Sequence, residues 1–441
     1  MNLGFASQCN THAMGLATDR ASSLYNPGSV VWNGFLTERQ YDIRGNLVAS
    51  WDQDGNGTAY VRDGIGRLVQ TYGATYPSAR ALDTAGRLVA LGTTRAGDVW
   101  DVTQWGYDPA TGLCTNKVYA DGTAVSHAFT ADGLPSRTTL ASGRWTQNAY
   151  DADRRLSATT DSDGNSVQYA YDAFGRLASA TDAAGHAEAF ARNELGVVTN
   201  ETQTVFDELF WTNRTAVLDR PLDAFGRPAG LVVKIDGDFS QSICYDYGVD
   251  GHLSGMVLTN AQGRTVSVGY DWEQGRFAGC TVFDSSGDPI FERTVSRAPR
   301  RPALVTAVTN AGVQPLTSNL SPLTFSYAYD AVGRPVERGA DAFAYNARGE
   351  VTNATISGAT WGYAYDHIGN REAATAPSGT TAYAANALNQ YAAVTGRSVA
   401  HDADGNMTRN GERNQTWDAA GRLVKSSPDL VQRWQTWQDF D

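Results

Sequence analysis

Aspartate is the residue whose spacing first suggests chemistry. Asp52, Asp54 and Asn56, with Asp63 eleven positions after the first, approximate the oxygen-ligand spacing of a calcium loop. Asp161, Asp163, Asn165 and Asp172 repeat the theme, whereas Asp402, Asp404 and Asn406 have Arg413 where the closing carboxylate belongs. The same D-x-D-G-N string is what a tight turn demands, so turn chemistry is the preferred reading and Asp52, Asp54, Asn56 and Asp63 are the weaker calcium candidate. His12, His127, His186, His252, His367 and His401 show no paired spacing, and no serine or cysteine sits in a G-x-S-x-G context. The expectation is a non-enzymatic chain with no catalytic residues and no cofactor. Cys9, Cys114, Cys244 and Cys280 match no zinc spacing; buried free thiols are the preferred reading, with a Cys244 to Cys280 bond left open.

These residues have to be positioned by something, and the composition limits what. The chain has 441 residues, 41% hydrophobic and 19% charged, with 45 glycines and 14 prolines. That balance suits a folded chain dense in tight turns rather than a disordered one. A formal charge of −12 repels a nucleic-acid backbone, and no basic patch offsets it. Lysine occurs only at Lys117, Lys234 and Lys425, so nearly all positive charge is arginine, much of it directly after a turn glycine. Neither a signal peptide nor a membrane-spanning apolar stretch is visible.

Internal repetition supplies the framework. An aromatic and an aspartate, then glycine, then arginine or asparagine and an apolar residue recur along the chain. Copies stand at Tyr41-Asp42 with Gly45, Tyr171-Asp172 with Gly175, and Tyr270-Asp271 with Gly275. Others stand at Tyr329-Asp330 with Gly333, Tyr365-Asp366 with Gly369, and Trp417-Asp418 with Gly421. Aspartate at the first turn position accepts backbone N–H bonds, and glycine three residues later supplies a positive φ, so D-x-x-G predicts a hairpin tip. A second, weaker turn follows about ten residues later, as in Asp182 to Gly185 and Asn260 to Gly263, so each unit holds two strands. Period-two alternation between turns and the absence of helical periodicity predict an all-β array of antiparallel hairpins. The motif tyrosines are expected to carry much of the packing, ring stacked on ring one repeat away.

These residues closely resemble the RHS/YD-repeat family of bacterial polymorphic toxins, insecticidal Tc-toxin components and animal teneurins, over roughly Tyr41 to Lys425. The resemblance implies a spiralling ribbon or partial β-shell that encloses a C-terminal toxin, cut free by a core segment. After Lys425 no core segment is found, so self-cleavage is carried onto no residue and a protease core would lie outside this chain. Asp108-Pro109 and Asp288-Pro289 read as turns.

Two segments break the rhythm: Asn193 to Arg220, around Phe206, Phe210 and Trp211, and Ser296 to Leu323, with Pro299, Pro302, Pro315, Pro322, Arg297, Arg300 and Arg301. The prolines predict a long irregular loop there. The expected organisation is a lead-in over 1–40, array I over 41–295, the Pro-rich loop over 296–323, array II over 324–425 and a tail over 426–441. The favoured function is a secreted or cell-surface shell element whose partners are a C-terminal toxin or effector domain or further repeats. The alternative is an adhesin that stacks glycans on Trp51, Trp100, Trp105, Trp145 and Trp361.

Overall fold

The computed structural model describes residues 28–32, 35–96, 99–207, 212–299, 301–313, 322–411 and 413–428. Among these the chain is all-β, with 37 strands and no helix. Two compact units divide it, one formed by Met1–Thr146 with Tyr327–Asp441 and the other by Gln147–Ser326. Array I is therefore shared between both units, and the unit boundaries fall after residues 146 and 326.

Within each unit, strands pair antiparallel with their sequence neighbours, as a chain of tight turns requires. Ser166–Tyr171 pairs with Leu177–Asp182, which pairs with Ala187–Arg192, which pairs with Val198–Asp207. The tip geometry follows the D-x-x-G expectation: the Gly45 amide donates to the Asp42 carbonyl at 3.0 Å and the Asp42 amide to Asn46 at 2.9 Å. Gly45 sits at φ +81°, and a bulge lies beside Tyr41 where the ladder resumes. The weaker turns at Asp161, Asp182, Asn260 and Asp284 close in the same way. Tyrosine–aspartate tips thus line one edge of the ribbon and weaker turns line the other.

The ribbon has almost no conventional core. Its buried hydrophobic residues are alanines, among them Ala49, Ala59, Ala90 and Ala354, and among the described residues no large side chain is fully buried. Small side chains on both faces keep the sheet thin, so cohesion has to come from backbone ladders and polar ties between turns.

Several expectations are corrected. Arg301–Gly312 is a twelve-residue strand paired with both Pro289–Ala298 and Leu323–Tyr329, not part of a loop. Its prolines do not break the ladder: Pro299 occupies the turn, and Pro302 falls between the Ala298/Arg301 and Arg297/Val305 pairs, where no ladder amide is needed. Pro322 precedes the next strand; Pro315 and Arg300 lie outside the described residues. The hairpin Gly28–Trp32 with Phe35–Tyr41 shows that the ribbon begins before residue 41, and Leu423–Pro428 carries it past residue 425. The long unit around residue 206 is a hairpin of Val198–Asp207 and Thr212–Asp219, with Phe210 and Trp211 outside the described residues. In the Tyr270-Asp271 copy three residues separate Asp271 from Gly275, as three separate Asp108 from Gly112, but Asp271, unlike Asp108, does not open the turn: it stays in the strand opposite Gly279, and Gln274 and Gly275, both at positive φ, make the turn.

Gly73 shows how closely the backbone packs without side chains. At φ +101°, a Cβ there would collide with the Gly57 carbonyl oxygen, which also accepts the Ala74 amide at 2.7 Å. Gly73→Ala is expected to cost ~1–3 kcal/mol. A thermal melt by circular dichroism checks this, and an unchanged midpoint would show that the backbone relaxes there.

Candidate functional site

The repeat motif builds one polar device many times. At the first turn position one carboxylate oxygen accepts the third- and fifth-position amides; the other accepts a donor from the fifth side chain. Asp63 takes the Ile65 and Arg67 amides at 3.1 and 2.9 Å, and the Arg67 Nε at 2.6 Å. Asp42 uses Asn46 Nδ2 at 2.9 Å, and Asp182 faces His186 Nδ1 at 2.7 Å. Where the first residue is an amide the roles reverse: Asn346 donates to Glu350 at 2.6 Å and Asn386 to Gln390 at 2.9 Å.

The fifth-position arginine then reaches the neighbouring repeat. Arg155 lies 4.9 Å over the ring of Tyr171, whose hydroxyl donates to the Leu156 carbonyl at 2.8 Å. Arg87 with Tyr107 and Leu88, Arg227 with Tyr247 and Pro228, and Arg334 with Tyr345 and Pro335 repeat this arrangement, the rings 4.2 to 5.1 Å from the cation. The expected tyrosine-on-tyrosine ladder gives way to an alternation of guanidinium and ring, because the arginine occupies the face that a second ring would need. Tyr365 keeps the carbonyl bond, to Val351 at 2.9 Å. In the shifted 270–275 copy Trp272 takes the tyrosine's part and donates to Leu253 at 2.7 Å.

A second assembly lies inside the first unit, where residues 327–428 rest on residues 41–146. The contact is directional: tyrosine–aspartate tips of the later stretch meet weaker turns of the earlier one. Arg334 pairs with Asp54 at 2.9 Å, the Tyr76 hydroxyl meets Glu350 at 3.2 Å, and Arg348 lies 5.7 Å from the Tyr76 ring. Ser142 donates its amide and hydroxyl to Asp404 at 2.8 and 2.6 Å, and Arg144 caps the Asp418 carbonyl at 3.0 Å. Arg95 pairs with the buried Asp101, donates to the Ala385 carbonyl at 3.0 Å, and accepts the His367 amide at its own carbonyl. A half-open cavity of about 510 Å³ opens in this seam, lined by Leu91, Asp101, Val125, Leu140, Leu388 and Asp404 among others. Sequence reading missed Tyr76, Arg95, Asp101 and Ser142, since none belongs to the repeat signature. An arginine beside a buried partner 290 residues from the carbonyl it caps leaves no local pattern to find.

The calcium candidates are not gathered into a site. Asp52 spends its oxygens on the Asp54 and Asn56 amides and Asn56 Nδ2, Asp54 pairs with Arg334, and Asp63 serves its own turn. No cluster of three or more His, Cys, Asp or Glu side chains able to hold a metal exists among the described residues. Cys114, Cys244 and Cys280 are free thiols. Cys244 is exposed rather than buried, and it lies on a different strand pair from Cys280, so the open disulfide is not formed. Arg297 caps the Phe277 and Pro302 carbonyls. Trp51, Trp100, Trp105, Trp145 and Trp361 are all half-buried; Arg137 lies 4.2 Å over Trp145, Lys117 lies 5.7 Å from Trp105, and Trp51 and Trp100 pack on Gly57 and Gly92. Among the described residues no helix is long and apolar enough to cross a membrane.

Repeated tips tied edge to edge define a hairpin-repeat scaffold, and family comparison agrees. Residues 150–187 match the RHS Repeat family and residues 334–431 match the Teneurin YD-shell family. The chain is an RHS/YD-repeat protein. No curated protein sequence matches it. Among solved structures it is similar to a TcdB2-TccC3 chain, at 15% identity and a TM-score of 0.49, over 90% of this chain and 25% of that one. It is likewise similar to a Photorhabdus luminescens Tc holotoxin pore carrying a TccC3 mutation, at 14% identity and 0.49, over 90% and 24%. The chain thus spans about a quarter of the solved chains it matches.

The turn carboxylates predict an acid-sensitive fold. The Arg67 side chain holds Asp63 below the ordinary aspartate value of 3.8; backbone amides, then the arginine side chains, do the same for Asp83 and Asp151. A depressed folded value means stability fully present above 3.8 and lost as pH falls through the folded values. Thermal midpoints should therefore be insensitive to these groups at neutral pH and drop in acid below 3.8. The Asp63→Asn, Asp83→Asn, Asp151→Asn variant should melt lower at neutral pH with a shallower acid limb, and an acid limb as steep as the parent's would assign the loss to other groups.

Proposed function

We propose that this chain is a non-catalytic wall segment of a β-shell that encloses or displays a polypeptide cargo outside the cell. The carrying observation is the seam within the first unit: the ribbon is built to lie tip edge on turn edge, which is how a thin strip becomes a wall. Two features support a wall over an independent domain. The sheet is too poor in buried side chains to form a core of its own, and its ties run along and between ribbon stretches rather than inward. The matches to RHS Repeat and Teneurin YD-shell families point the same way. Cargo, closing repeats and any processing core belong to this proposal. The adhesin reading draws less support, because glycan stacking needs open indole faces and the five tryptophans are half-buried, with cations or glycines against four of them.

Affinity capture of the tagged chain from its producing cells, read by mass spectrometry, tests the wall. The expected co-purifying species are polypeptides carrying further YD repeats or an effector domain fused to them. A glycan array run on the same preparation separates the readings. Glycan binding abolished by Trp145→Ala, with no repeat-bearing polypeptide captured, would replace the shell with the adhesin.

A further inference from the structure

The cavity in the seam of the first unit is walled differently from the rest of the ribbon. Leu91, Val125, Leu140 and Leu388 line it, in a sheet whose buried hydrophobic residues are alanines. Two consecutive weaker turns also give up their usual first residue there. Asp52, Asp161 and Asp182 open such turns and take the third- and fifth-position amides on one carboxylate oxygen. Tyr119 and Leu140 open the turns at 119–123 and 140–144, whose backbones close in the same way. Neither side chain caps its turn; the third residue does so instead. Asp121 takes the Thr123 amide and hydroxyl at 2.9 and 2.7 Å, and Ser142 Oγ takes the Arg144 amide at 3.2 Å. The exchange puts a ring and a leucine on the cavity wall. A departure from the local turn rule, compensated by a neighbouring residue, is what a functional site is expected to show.

The polar part of the wall sets the charge of what fits. Asp101 is buried, and Arg95 meets both of its oxygens. Asp404 accepts the amide and hydroxyl of Ser142, and among the described residues no cation pairs with it. Among those residues no lysine, arginine or histidine lines the cavity, whose other polar groups include the hydroxyls of Thr93, Thr103 and Thr123. The ring of Tyr119 already draws the Lys117 ammonium to 4.5 Å, so it too favours positive charge. We propose that the cavity binds an alkylammonium group, with the charge beside Asp404 and the threonine hydroxyls and the apolar stem against Leu91, Val125 and Leu388. An ammonium complements the unpaired carboxylate, whereas an anionic ligand meets only like charge. A volume of about 510 Å³ lies within the range of small-ligand pockets and takes either a free amine or the side chain of a lysine in a polypeptide. The site lies within the first unit and stands whether or not the wall encloses a cargo.

Titration of the full chain with n-hexylammonium, followed by ligand-observed NMR, gives the test, with n-hexanol as a neutral probe of the same shape. Hexylammonium is expected to bind at ~1 mM and hexanol on the order of 10-fold more weakly. Asp404→Asn should lose about the same 10-fold for the ammonium and leave hexanol unchanged, since only the charge is removed. Val125→Phe should fill the cavity and weaken both probes, each variant being checked for a cooperative melt. A capped tripeptide with lysine between two leucines separates the sources. Binding tighter than that of hexylammonium assigns the site to a lysine side chain, and no gain assigns it to a free amine. Hexanol binding as tightly as hexylammonium overturns the proposal, as does the absence of binding by either probe at ~10 mM. So does ammonium binding that Asp404→Asn leaves unchanged, which would place the charge on other carboxylates of this acidic chain.

Discussion

A sheet whose buried hydrophobic residues are alanines has to be held together by something other than a core, and the fifth-position arginine supplies much of what is missing. Its Nε is fixed by the aspartate of its own turn, and its guanidinium covers the tyrosine of the next repeat. That tyrosine returns a hydrogen bond to the carbonyl just after the arginine, as Arg155, Tyr171 and Leu156 show. Three inexpensive interactions thereby become one closed tie. Isolated surface ion pairs contribute little because two long side chains must be frozen for one contact. Here the backbone turn already orders the aspartate, and the same arginine serves both the turn and the ring, so the ordering cost is shared.

The tie also explains the variation among repeats. Where positions one and five tie through their side chains, the pairs are Asp with Arg, Asn or His, and Asn with Glu or Gln; Asn193 with Val197 and Asp284 with Asp288 keep only the bond from the fifth-position amide. Where Glu350 replaces the arginine, Arg348 two positions earlier bonds to it at 2.9 Å and reaches forward to the Asp366 carbonyl at 2.8 Å, so the link to the next turn is kept by another route. The repeat is thus better described as a rule of donors and acceptors than as a fixed string.

This accounts for what was legible in the sequence. The hairpins were, because D-x-x-G is local chemistry confined to five residues, as Asp42 to Asn46 shows. Strand content in the proline-bearing segment was not, since proline's lost amide matters only if the ladder needs it, and a bulge at Pro302 is a tertiary outcome. The partner of each tyrosine was misjudged for a related reason: aromatic spacing fits ring stacking and cation stacking equally well, and only geometry shows Arg227 already seated 4.2 Å over Tyr247. The seam was out of reach, because Ser142 and Asp404 are 262 residues apart and each alone is an ordinary turn residue.

Edge polarity is the property that connects these observations. Tyrosine–aspartate tips and weaker turns alternate along an antiparallel ribbon, so the arginine–tyrosine ties gather on one edge while both edges share the turn hydrogen bonds. A strip with two unlike edges joins edge to edge in one sense only, which is what the pairs Arg334 with Asp54 and Asp404 with Ser142 display. Such a strip does not need an apolar face to choose its neighbour; the third and fifth positions of the tips supply the contacts, as Asp404 and Arg334 show. Polar or charged residues at the third position, as at Arg348 and Asp404, give contacts of defined register in the first unit, while Phe174 and Phe225 at the same position in the second unit stand exposed. Selection acting on a single turn position can therefore adjust where the ribbon joins without disturbing the arginine tie that keeps it a ribbon.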